Sequence, residues 1–318
     1  MHTRMIQSPL NYTGGKFRLL PQILPLFPHK INTFIDLFCG GCNVGINVEA
    51  KRHIYNDVNL CLIRLLQTLK NSDKHSVFEM IYKVIRKYNL SLVSRHSYEY
   101  YGCESDKGLG EYNREKFLRL REDFNKLKAD DYCYYIMLFV LIIYSFNNQI
   151  RFNREGKFNL PVGKRDFNTK ISEKLSLFID VLKAQDSTFT CSDFATFDIS
   201  FLNSSDFVYI DPPYLITCAT YNEQNGWNEH KERQLLYLID ELTGRKIKCA
   251  LSNVLRNKGR KNHILMEWLE RNTLKYTMHR LRYSYANSNY HTKDKVNCTD
   301  EVLVTNYTED DLWNSFGA

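Results

Sequence analysis

The chain alternates between two kinds of hydrophobic pattern. Short runs of β-branched and aromatic residues, each ending near Asp, Asn, Gly or Pro, are typical of buried strands. Seven such runs are Thr33–Phe38, Arg52–Tyr55, Thr188–Cys191, Asp206–Ile210, Lys248–Ser252, Leu274–Leu281 and Glu301–Asn306. Between several of them lie stretches with helical periodicity, such as Glu229–Leu242 and Asn262–Arg271. This alternation predicts βαβ units and a mostly parallel sheet that is covered on both faces.

The stretch from about residue 62 to residue 170 has a different pattern. Apolar residues recur at helical spacing in Val77–Tyr88 and Arg114–Lys128, and a nearly continuous apolar helix is predicted around Tyr132–Phe146. The segment Arg151–Lys164 then has aromatic and basic residues on both sides of an Asn-Arg-Glu-Gly turn, which is typical of a β-hairpin. We therefore expect a mostly helical insert that carries a hairpin.

Length and composition fit a globular protein of two domains. The 318 residues allow two domains of about 100–200 residues each. We expect one domain at residues 62–170 and another that combines residues 1–61 with residues 171–318. A hydrophobic content of 43% and a charged content of 25% argue against disorder. The formal net charge of +7 is compatible with a polyanionic partner.

The cysteines and the apolar segments indicate in which cellular compartment the protein is expected. Nine cysteines lie at irregular spacing, and the N-terminal segment has no apolar run like that of a signal peptide. We therefore expect reduced thiols and a cytoplasmic location. Cys39 and Cys42 form one CxxC pair without a second pair of ligands at zinc-finger spacing, so no metal site is predicted. Tyr132–Phe146 is shorter than the roughly 20 residues of a membrane span, so no membrane association is expected.

The first candidate site is the glycine-rich turn DLFCGGCNVG at Asp36–Gly45. We expect a strand to end there and a helix to begin, because glycine lets the backbone approach a ligand and a helix N-terminus favours negative charge. Asp57 ends the next predicted strand, where an acidic residue can bind the ribose hydroxyls of a nucleoside. The pattern predicts a nucleoside cofactor, although Asp57 could also be a helix N-cap.

The second candidate site is Asp211-Pro212-Pro213-Tyr214, directly after the predicted strand DFVYI. Two prolines remove two N–H donors, so carbonyls there are free to accept hydrogen bonds from a ligand. With the Asp211 carboxylate they form an acceptor-rich cluster that suits an –NH₂ group, and the Tyr214 ring offers a stacking face. A tight loop with a packed Tyr is the alternative, but ligands of α/β sheets bind at the carboxyl ends of strands.

Two further segments have less specific patterns. NYTGGKF at Asn11–Phe17 lacks the spacing of a phosphate-binding P-loop, although Lys16 could bind a carboxylate and Tyr12 could stack or cover a cation. The polar segment Leu215–Asn228 is interpreted either as a mobile lid over the site or as an ordinary surface loop.

Together these motifs resemble the Dam-like, α-group N6-adenine DNA methyltransferases. The resemblance runs from Asn11 to Asn306 in the family's order: the GGK segment, the glycine-rich loop, NDVN, a recognition insert and DPPY. Tyr12 stands where relatives often have Trp, and Cys42 replaces the last small residue of the family's F-x-G-G/A-G loop. Ser192-Asp193-Phe194 resembles the acidic-aromatic segment that meets the adenine of the cofactor.

The resemblance implies a Rossmann-like, mixed seven-stranded sheet of the class I methyltransferase type, with S-adenosyl-L-methionine as cofactor. Residues 62–170 would be the target-recognition domain and the rest the catalytic domain. Asp211 and the Pro212 carbonyl would accept hydrogen bonds from the N6 amino group of a flipped adenine, on which Tyr214 stacks. The catalytic segment is then Asp211, Pro212, Pro213 and Tyr214. The cofactor-binding residues would be Tyr12, Lys16, Asp36, Phe38, Gly40, Asp57, Asp193 and Phe194.

The insert is expected to contact double-stranded DNA on or beside its hairpin. The candidate residues are Asn147, Gln149, Arg151, Arg154, Lys157, Lys164 and Arg165. Arg reads guanine and Asn or Gln reads adenine, whereas most contacts go to phosphates; a solvated basic face is the alternative. Relatives that recognise GATC resemble N-G-L-x-R here, but Gln149 replaces the Leu in this chain, so the recognition sequence stays open.

We therefore expect a site-specific, monomeric DNA adenine methyltransferase, either alone or with a cognate restriction endonuclease. An RNA adenine methyltransferase and a non-catalytic DNA-binding protein of the same fold are the alternatives. Asp211 favours adenine in DNA, because glutamine-modifying and many RNA- or protein-directed relatives resemble NPPY. A Rossmann dehydrogenase would need a GxGxxG turn, which Gly40–Gly45 does not supply.

Overall fold

The computed structural model describes residues 5–12, 14–128, 131–217, 226–282 and 299–308. Contacts divide the chain into two compact units, each assembled from three segments. Unit 1 comprises Met1–Gly15, Gly40–Ile46 and Asn59–Gln185, and unit 2 comprises Lys16–Cys39, Asn47–Val58 and Asp186–Ala318. The domain boundaries expected from the sequence stay a prediction.

Unit 2 contains a mixed sheet of eight strands. In chain order these are β1 (Thr33–Asp36), β2 (Arg52–Asn56), β3 (Ser187–Thr190), β4 (Phe207–Ile210), β5 (Lys248–Asn257), β6 (Arg260–Lys261), β7 (Thr277–Leu281) and β8 (Asp300–Thr305). The order in the sheet is β3-β2-β1-β4-β5-β8-β7, with the short β6 paired to β5. Neighbouring strands from β3 to β5 are parallel, whereas β8 is antiparallel to β5 and β7. The predicted α/β class and all seven predicted strands are confirmed.

Eight α-helices lie in the described residues. They are α1 (Leu20–Ile23), α2 (Leu60–Asn71), α3 (Lys74–Lys87), α4 (Gly110–Phe124), α5 (Tyr132–Tyr144), α6 (Thr169–Ala184), α7 (Glu229–Gly244) and α8 (His263–Arg271). None of the helices in these ranges is both long and apolar enough to cross a membrane.

The core of unit 2 lies between the sheet and the helices α7 and α8. β1 and β4 are buried along their whole length, as expected for central parallel strands. Ile35 and Val208 from these strands belong to one buried cluster with Leu235 and Ile239 of α7 and Leu265 of α8. The apolar positions of α7 recur three and four residues apart, so one face of the helix covers the sheet.

The helix expected directly after the glycine-rich turn is not formed. Gly45–Asn47 makes a single 3-10 turn instead. Gly40 and Cys42 have φ angles of 46° and 60°, which are left-handed and incompatible with a helix. The few residues that remain before β2 are too short for a stable helix. The argument from a helix N-terminus was therefore wrong for this loop.

Unit 1 is mostly helical, as predicted for the insert. α5 is buried along almost its whole length and contacts α2, α3 and α4, which explains its continuous apolar sequence. Its N-cap is Asp131, whose carboxylate accepts a hydrogen bond from the Tyr134 N–H at 2.7 Å. The helices α2 and α6 were not individually predicted.

The predicted hairpin keeps its turn but has little strand pairing. Asn153 accepts hydrogen bonds from the N–H groups of Glu155 and Lys157, and Gly156 has a φ of 73°. In the described residues the backbones of the two arms pair at one isolated bridge, Phe152 to Phe158, which is flanked by hydrogen bonds from the Asn153 N–H to the Lys157 carbonyl and from the Asn159 N–H to the Arg151 carbonyl. On the side of Phe158 that faces away from the other arm, the Asn125 side chain donates to its carbonyl and accepts from its N–H.

Candidate functional site

The carboxyl end of β4 carries a buried cluster of four polar side chains, all in unit 2. The ammonium Nζ of Lys16 lies 3.0 Å from Oδ1 of Asp211 and 3.5 Å from Oε1 of Glu301. The Tyr214 hydroxyl lies 3.0 Å from the same Asp211 oxygen and 3.3 Å from the same Glu301 oxygen. Each carboxylate therefore meets the same two donors. We call these four residues the Lys16 cluster.

Burial controls the electrostatics of the Lys16 cluster. The side chains of Lys16 and Glu301 are 3% and 8% exposed, and that of Asp211 is 18% exposed. Burial raises the pKa of Asp211 and of Glu301, while the Lys16 charge opposes this shift. Burial also raises the pKa of Tyr214 well above its ordinary value, so its hydroxyl keeps its proton. The cluster is a set of acceptors held by one cation.

Asp211 has one occupied and one open carboxylate oxygen. Lys16 and Tyr214 both bind Oδ1, and among the described residues Oδ2 has no hydrogen-bond partner. Pro212 and Pro213 follow without N–H groups, so this stretch has more acceptors than donors. The Lys16 ammonium also lies over the Tyr214 ring, 4.8 Å from its centroid. A ligand with an amino group could therefore bind Oδ2.

Asn56, which was not selected from the sequence, fixes the loops that follow β1 and β3. Its Nδ2 donates to the carbonyls of Leu37 and Ser192, both at 3.0 Å. Its Oδ1 accepts from the Thr190 hydroxyl at 2.9 Å and from the Ser192 N–H at 3.2 Å. A signal existed in the sequence, because an amide side chain at the end of a strand can satisfy loop backbone on both sides.

Asp57 follows Asn56 and is 7% exposed. Its N–H donates to the Thr190 carbonyl at 3.3 Å, so the backbone next to this carboxylate is fixed to β3. The alternative interpretation as the N-cap of the next helix was wrong: Asn59 caps α2 by accepting from the Leu62 N–H. Asp36, the last residue of β1, is 2% exposed and pairs in register with Tyr209 of β4.

An aromatic group lies beside these loops in unit 2. Phe38, Phe194 and Trp227 have ring centroids 5.4–5.8 Å apart in mutually tilted or edge-on pairs. The Trp227 indole donates to the fully buried carboxylate of Glu232, which fixes this ring. Trp227 was not selected from the sequence, because a single Trp in a polar segment resembles any surface anchor. Residues 218–225 of the possible lid lie outside the described residues.

Asp193 is an N-cap as well as a charged group beside Phe194. Its carboxylate accepts from the Ala195 N–H at 3.0 Å and forms an ion pair with Lys231 at 3.3 Å. It thus provides a carboxylate next in sequence to Phe194, one of the three rings of the aromatic group. The chemistry of a carboxylate next to aromatic rings fits a nucleoside.

In unit 1, Gly40 and Tyr12 are in direct contact. A Cβ atom at Gly40 would lie 2.8 Å from the Tyr12 ring, and Gly40 has a left-handed φ of 46°. A Cβ atom at Gly41 would lie 3.2 Å from the Leu10 carbonyl oxygen. Only glycine fits at residue 40, because both its backbone conformation and its neighbour exclude a side chain.

The candidate DNA-reading residues differ in what they contact within unit 1. Arg151 donates to the Asn159 side chain at 2.8 Å and so joins the two arms of the hairpin. Lys157 forms an exposed ion pair with Glu155. The exposed candidates are Asn147, Arg154, Lys157, Lys164 and Arg165.

The segment before the hairpin has an unusual backbone. Asn147 and Asn148 have φ angles of 56° and 53°, a conformation that Asn tolerates better than most residues. The Asn147 carbonyl accepts from the Asn11 side chain at 3.0 Å, and Gln149 is half-buried. Among the described residues, no group of three or more His, Cys, Asp or Glu side chains is arranged to hold a metal ion.

Comparisons with known proteins agree with this geometry. Residues 12–287 match the family described as D12 class N6 adenine-specific DNA methyltransferase. The chain is 41% identical to the type II methyltransferase M.FokI of Planomicrobium okeanokoites, over 95% of this chain and 43% of that protein. It is 38% identical to the modification methylase StsI of Streptococcus sanguinis, over 96% of this chain and 43% of that protein. It is 27% identical to the DNA adenine methylase of Escherichia coli K12, over 93% of each. The chain thus spans less than half the length of the first two relatives.

Proposed function

Because the chain belongs to the D12 class of N6 adenine-specific DNA methyltransferases, we propose that it methylates N6 of adenine in a short duplex DNA sequence. The donor is S-adenosyl-L-methionine, which supplies an electrophilic methyl group when bound. The observation that carries this proposal is the open Oδ2 of Asp211, beside two prolines and held from behind by Lys16 and Tyr214.

In this mechanism the protein orients the amine. Asp211 Oδ2 and the Pro212 carbonyl accept the two N–H bonds of the adenine amino group, which directs the nitrogen lone pair towards the methyl group. A bound cofactor would supply the methyl group, while Asp211 and the Pro212 carbonyl would keep the amino nitrogen aimed at it and the displaced N6 proton would pass to solvent. Positioning and electrostatics provide the catalysis, so no general base of its own is assigned.

Tyr214 has the role of holding the flipped base. Extruding an adenine from the duplex costs a few kcal/mol, and stacking on an aromatic ring returns about 1–3 kcal/mol of this. Lys16 lies over the Tyr214 ring, which fixes the ring and supports its use as a stacking platform. Pro213 fixes the backbone φ angle between the two functional side chains, Asp211 and Tyr214.

The cofactor-binding residues are proposed on two grounds, the contacts within unit 2 and the family resemblance. In unit 2 the proposal rests on Asp57, which follows β2, and on Asp193, which precedes Phe194, whose ring packs on that of Phe38. Asp36 and Lys16 from unit 2, and Tyr12 and Gly40 from unit 1, are assigned by the family resemblance. The tight contact at Gly40 supports a backbone that must approach a ligand closely.

Residues 62–170 are proposed to select the DNA sequence. The exposed cations Arg154, Lys157, Lys164 and Arg165 would mainly contact phosphates. Asn147, Gln149 and Arg151 are the candidates for base contacts, of which Arg151 must exchange its contact with Asn159 to reach a base. DNA affinity should therefore fall steeply with salt as counterions are released.

The relatives suggest a biological setting. StsI is named as a modification methylase and M.FokI as a type II methyltransferase. We accordingly propose that a cognate restriction endonuclease accompanies this protein, and that both act in the cytoplasm. DNA treated with this protein and the cofactor should then resist an endonuclease from the same cells.

The test of the reaction is direct. The protein is incubated with S-adenosyl-L-methionine and mixed-sequence duplex DNA, and the nucleosides are identified by mass. We expect N6-methyladenine with the wild type and none with Asp211→Ala, whose affinity for the cofactor should stay largely intact. Asp240→Asn is the matched control, because Asp240 also accepts a Tyr hydroxyl but lies in another cluster, with Tyr276 and Trp268. Methylation by Asp211→Ala at the wild-type rate would contradict the mechanism. Methylation of duplex RNA but not of duplex DNA would show that the substrate is RNA.

A further inference from the structure

Glu301 is the member of the Lys16 cluster to which the proposed reaction gives no role. It lies near the start of β8, opposite Val254 of β5 and Leu281 of β7, and is 7% exposed. The next three residues, Val302, Leu303 and Val304, are buried and apolar, and a carboxylate buried beside them costs free energy unless its partners compensate for it. We therefore ask what the Glu301 carboxylate does for the other three residues of the Lys16 cluster.

Glu301 reaches Asp211 only through shared donors. Lys16 Nζ is 3.0 Å from Asp211 and 3.5 Å from Glu301, and the Tyr214 hydroxyl is 3.0 Å from Asp211 and 3.3 Å from Glu301. A hydroxyl has one proton, so with both carboxylates ionised Tyr214 can donate to only one of them at a time. The two carboxylates thus compete for one proton and one positive charge.

This competition changes what Asp211 can do. If Glu301 were absent, Lys16 would neutralise Asp211 alone. The Asp211 carboxylate would then be a weaker hydrogen-bond acceptor. With Glu301 present, one cation serves two carboxylates in a place with little water, and each remains less compensated. We propose that Glu301 is a positioning residue that, by sharing Lys16 and the Tyr214 hydroxyl, keeps Asp211 a strong hydrogen-bond acceptor and fixes the Tyr214 ring.

Other charged groups near the cluster must be considered. Among the described residues, Tyr209 of β4 is a further titratable group on which the charges of Asp211, Glu301 and Asp36 of β1 act. Burial raises the pKa of Tyr209 well above its ordinary value, so that hydroxyl stays neutral, and Asp36 is unchanged in the variants below. Glu301 is therefore the group to vary.

The inference rests on the proposed function for its role, but its physical core can be measured without catalysis. In the full chain with ¹³C-labelled aspartate carboxyls, the Asp211 signal is the one lost in Asp211→Asn. Glu301→Gln keeps the shape and removes the negative charge, so the Asp211 pKa should fall. Asp240→Asn should leave it unchanged. Glu301→Asp restores a carboxylate and should recover most of the wild-type titration of Asp211. If Glu301→Gln does not fold, Glu301→Asp is the variant in which the Asp211 pKa is compared with that of the wild type.

The kinetic arm uses the single-turnover rate of methyl transfer as a function of pH. For Glu301→Gln we expect an about tenfold lower rate, unchanged affinities for DNA and cofactor, and an acid limb that moves to lower pH. An unchanged Asp211 titration in Glu301→Gln would overturn the inference. A wild type that transfers no methyl group would contradict the proposed function, while the titration would still decide whether Glu301 controls Asp211.

Discussion

The Lys16 ammonium and the Asp211 carboxylate, which are far apart in sequence, form an ion pair of 3.0 Å in which Lys16 is only 3% exposed. The same ammonium is the cation nearest to Glu301 among the described residues. Two buried carboxylates thus depend on one lysine. A buried pair contributes little by itself, but the loss of one partner leaves a charge without compensation.

Lys16→Met should therefore destabilise the protein by about 3–5 kcal/mol at neutral pH. Burial raises the folded-state pKa of Asp211 and Glu301, so their ionisation costs stability as the pH rises through these values. Without Lys16 both pKa values rise further and the cost increases. Urea unfolding should show a larger deficit at about pH 8 than at about pH 5. A deficit that is the same at both pH values would contradict this account.

Asp166, in unit 1, gives a second pH-dependent prediction. It is 1% exposed, its Oδ2 accepts from the Val93 N–H at 2.7 Å, and its Oδ1 has no partner among the described residues. Burial raises its pKa from 3.8 to about 6. Because the folded state prefers the neutral acid, stability is lost as the pH rises from the unfolded to the folded pKa.

We expect the unfolding free energy of the wild type, relative to Asp166→Asn, to fall by roughly 3 kcal/mol between about pH 4 and about pH 7. Above that range the difference should be constant, because Asp166 is then ionised in both states. Denaturant unfolding of both proteins across this range measures it. A difference independent of pH would mean that Asp166 does not titrate as the structure indicates.

The strands and the catalytic motif could be predicted because their signals are local. A short apolar run that ends in DPPY identifies β4 and, with it, Asp211 and Tyr214. The helix after the glycine-rich turn was wrong because left-handed residues at Gly40 and Cys42 turn the chain in a way that composition does not reveal. Local patterns describe each element but not the path between elements.

Glu301 and Asn56 could not be found in the same way. Their importance comes from contacts with residues distant in sequence: Glu301 with Lys16 and Tyr214, Asn56 with Ser192. The only sequence signal for Glu301 was a charge within the apolar strand EVLVT. A charged residue in a buried strand implies a compensating partner, but the sequence does not indicate which residue that partner is.

Asn56→Ala tests whether the loop connections of Asn56 support the cofactor site. The unfolding free energy should fall by about 2–3 kcal/mol because loop carbonyls lose their donors. Affinity for S-adenosyl-L-methionine should fall about tenfold, equivalent to about 1.4 kcal/mol. Calorimetric titration measures the affinity.

Asn306→Ala is the control for this variant. Asn306 binds loop backbone in the same way, accepting from the Cys249 N–H and donating to the Ile247 carbonyl, both at 2.8 Å. Those contacts are at the amino end of β5, away from Asp57. Asn306→Ala should be less stable than the wild type, with unchanged cofactor affinity. If Asn56→Ala and Asn306→Ala lost the same affinity, the loss in Asn56→Ala would be explained by general destabilisation and not by the cofactor site.

Gly163→Ala should disturb the hairpin region of unit 1. A Cβ atom there would lie 2.7 Å from the Ser145 carbonyl carbon and would also meet its oxygen, so the backbone must shift. We expect a loss of about 1–3 kcal/mol in stability and a marked loss of DNA affinity, with cofactor affinity retained. Gly244→Ala, where a Cβ meets nothing within 4 Å, should be neutral or slightly stabilising. Retained DNA affinity in Gly163→Ala would argue against the hairpin as a DNA contact.

The interleaved segments of the two units have a consequence for synthesis on the ribosome. β1 and β2 are made early, but the central strand β4, which pairs with β1, is made only after all of Asn59–Gln185. The helices of unit 1 can therefore pack while β1 still lacks one neighbour and its sheet has an open edge. An unpaired apolar strand is prone to association with other chains, so the nascent protein is most exposed to misfolding between the completion of α6 and the arrival of β4.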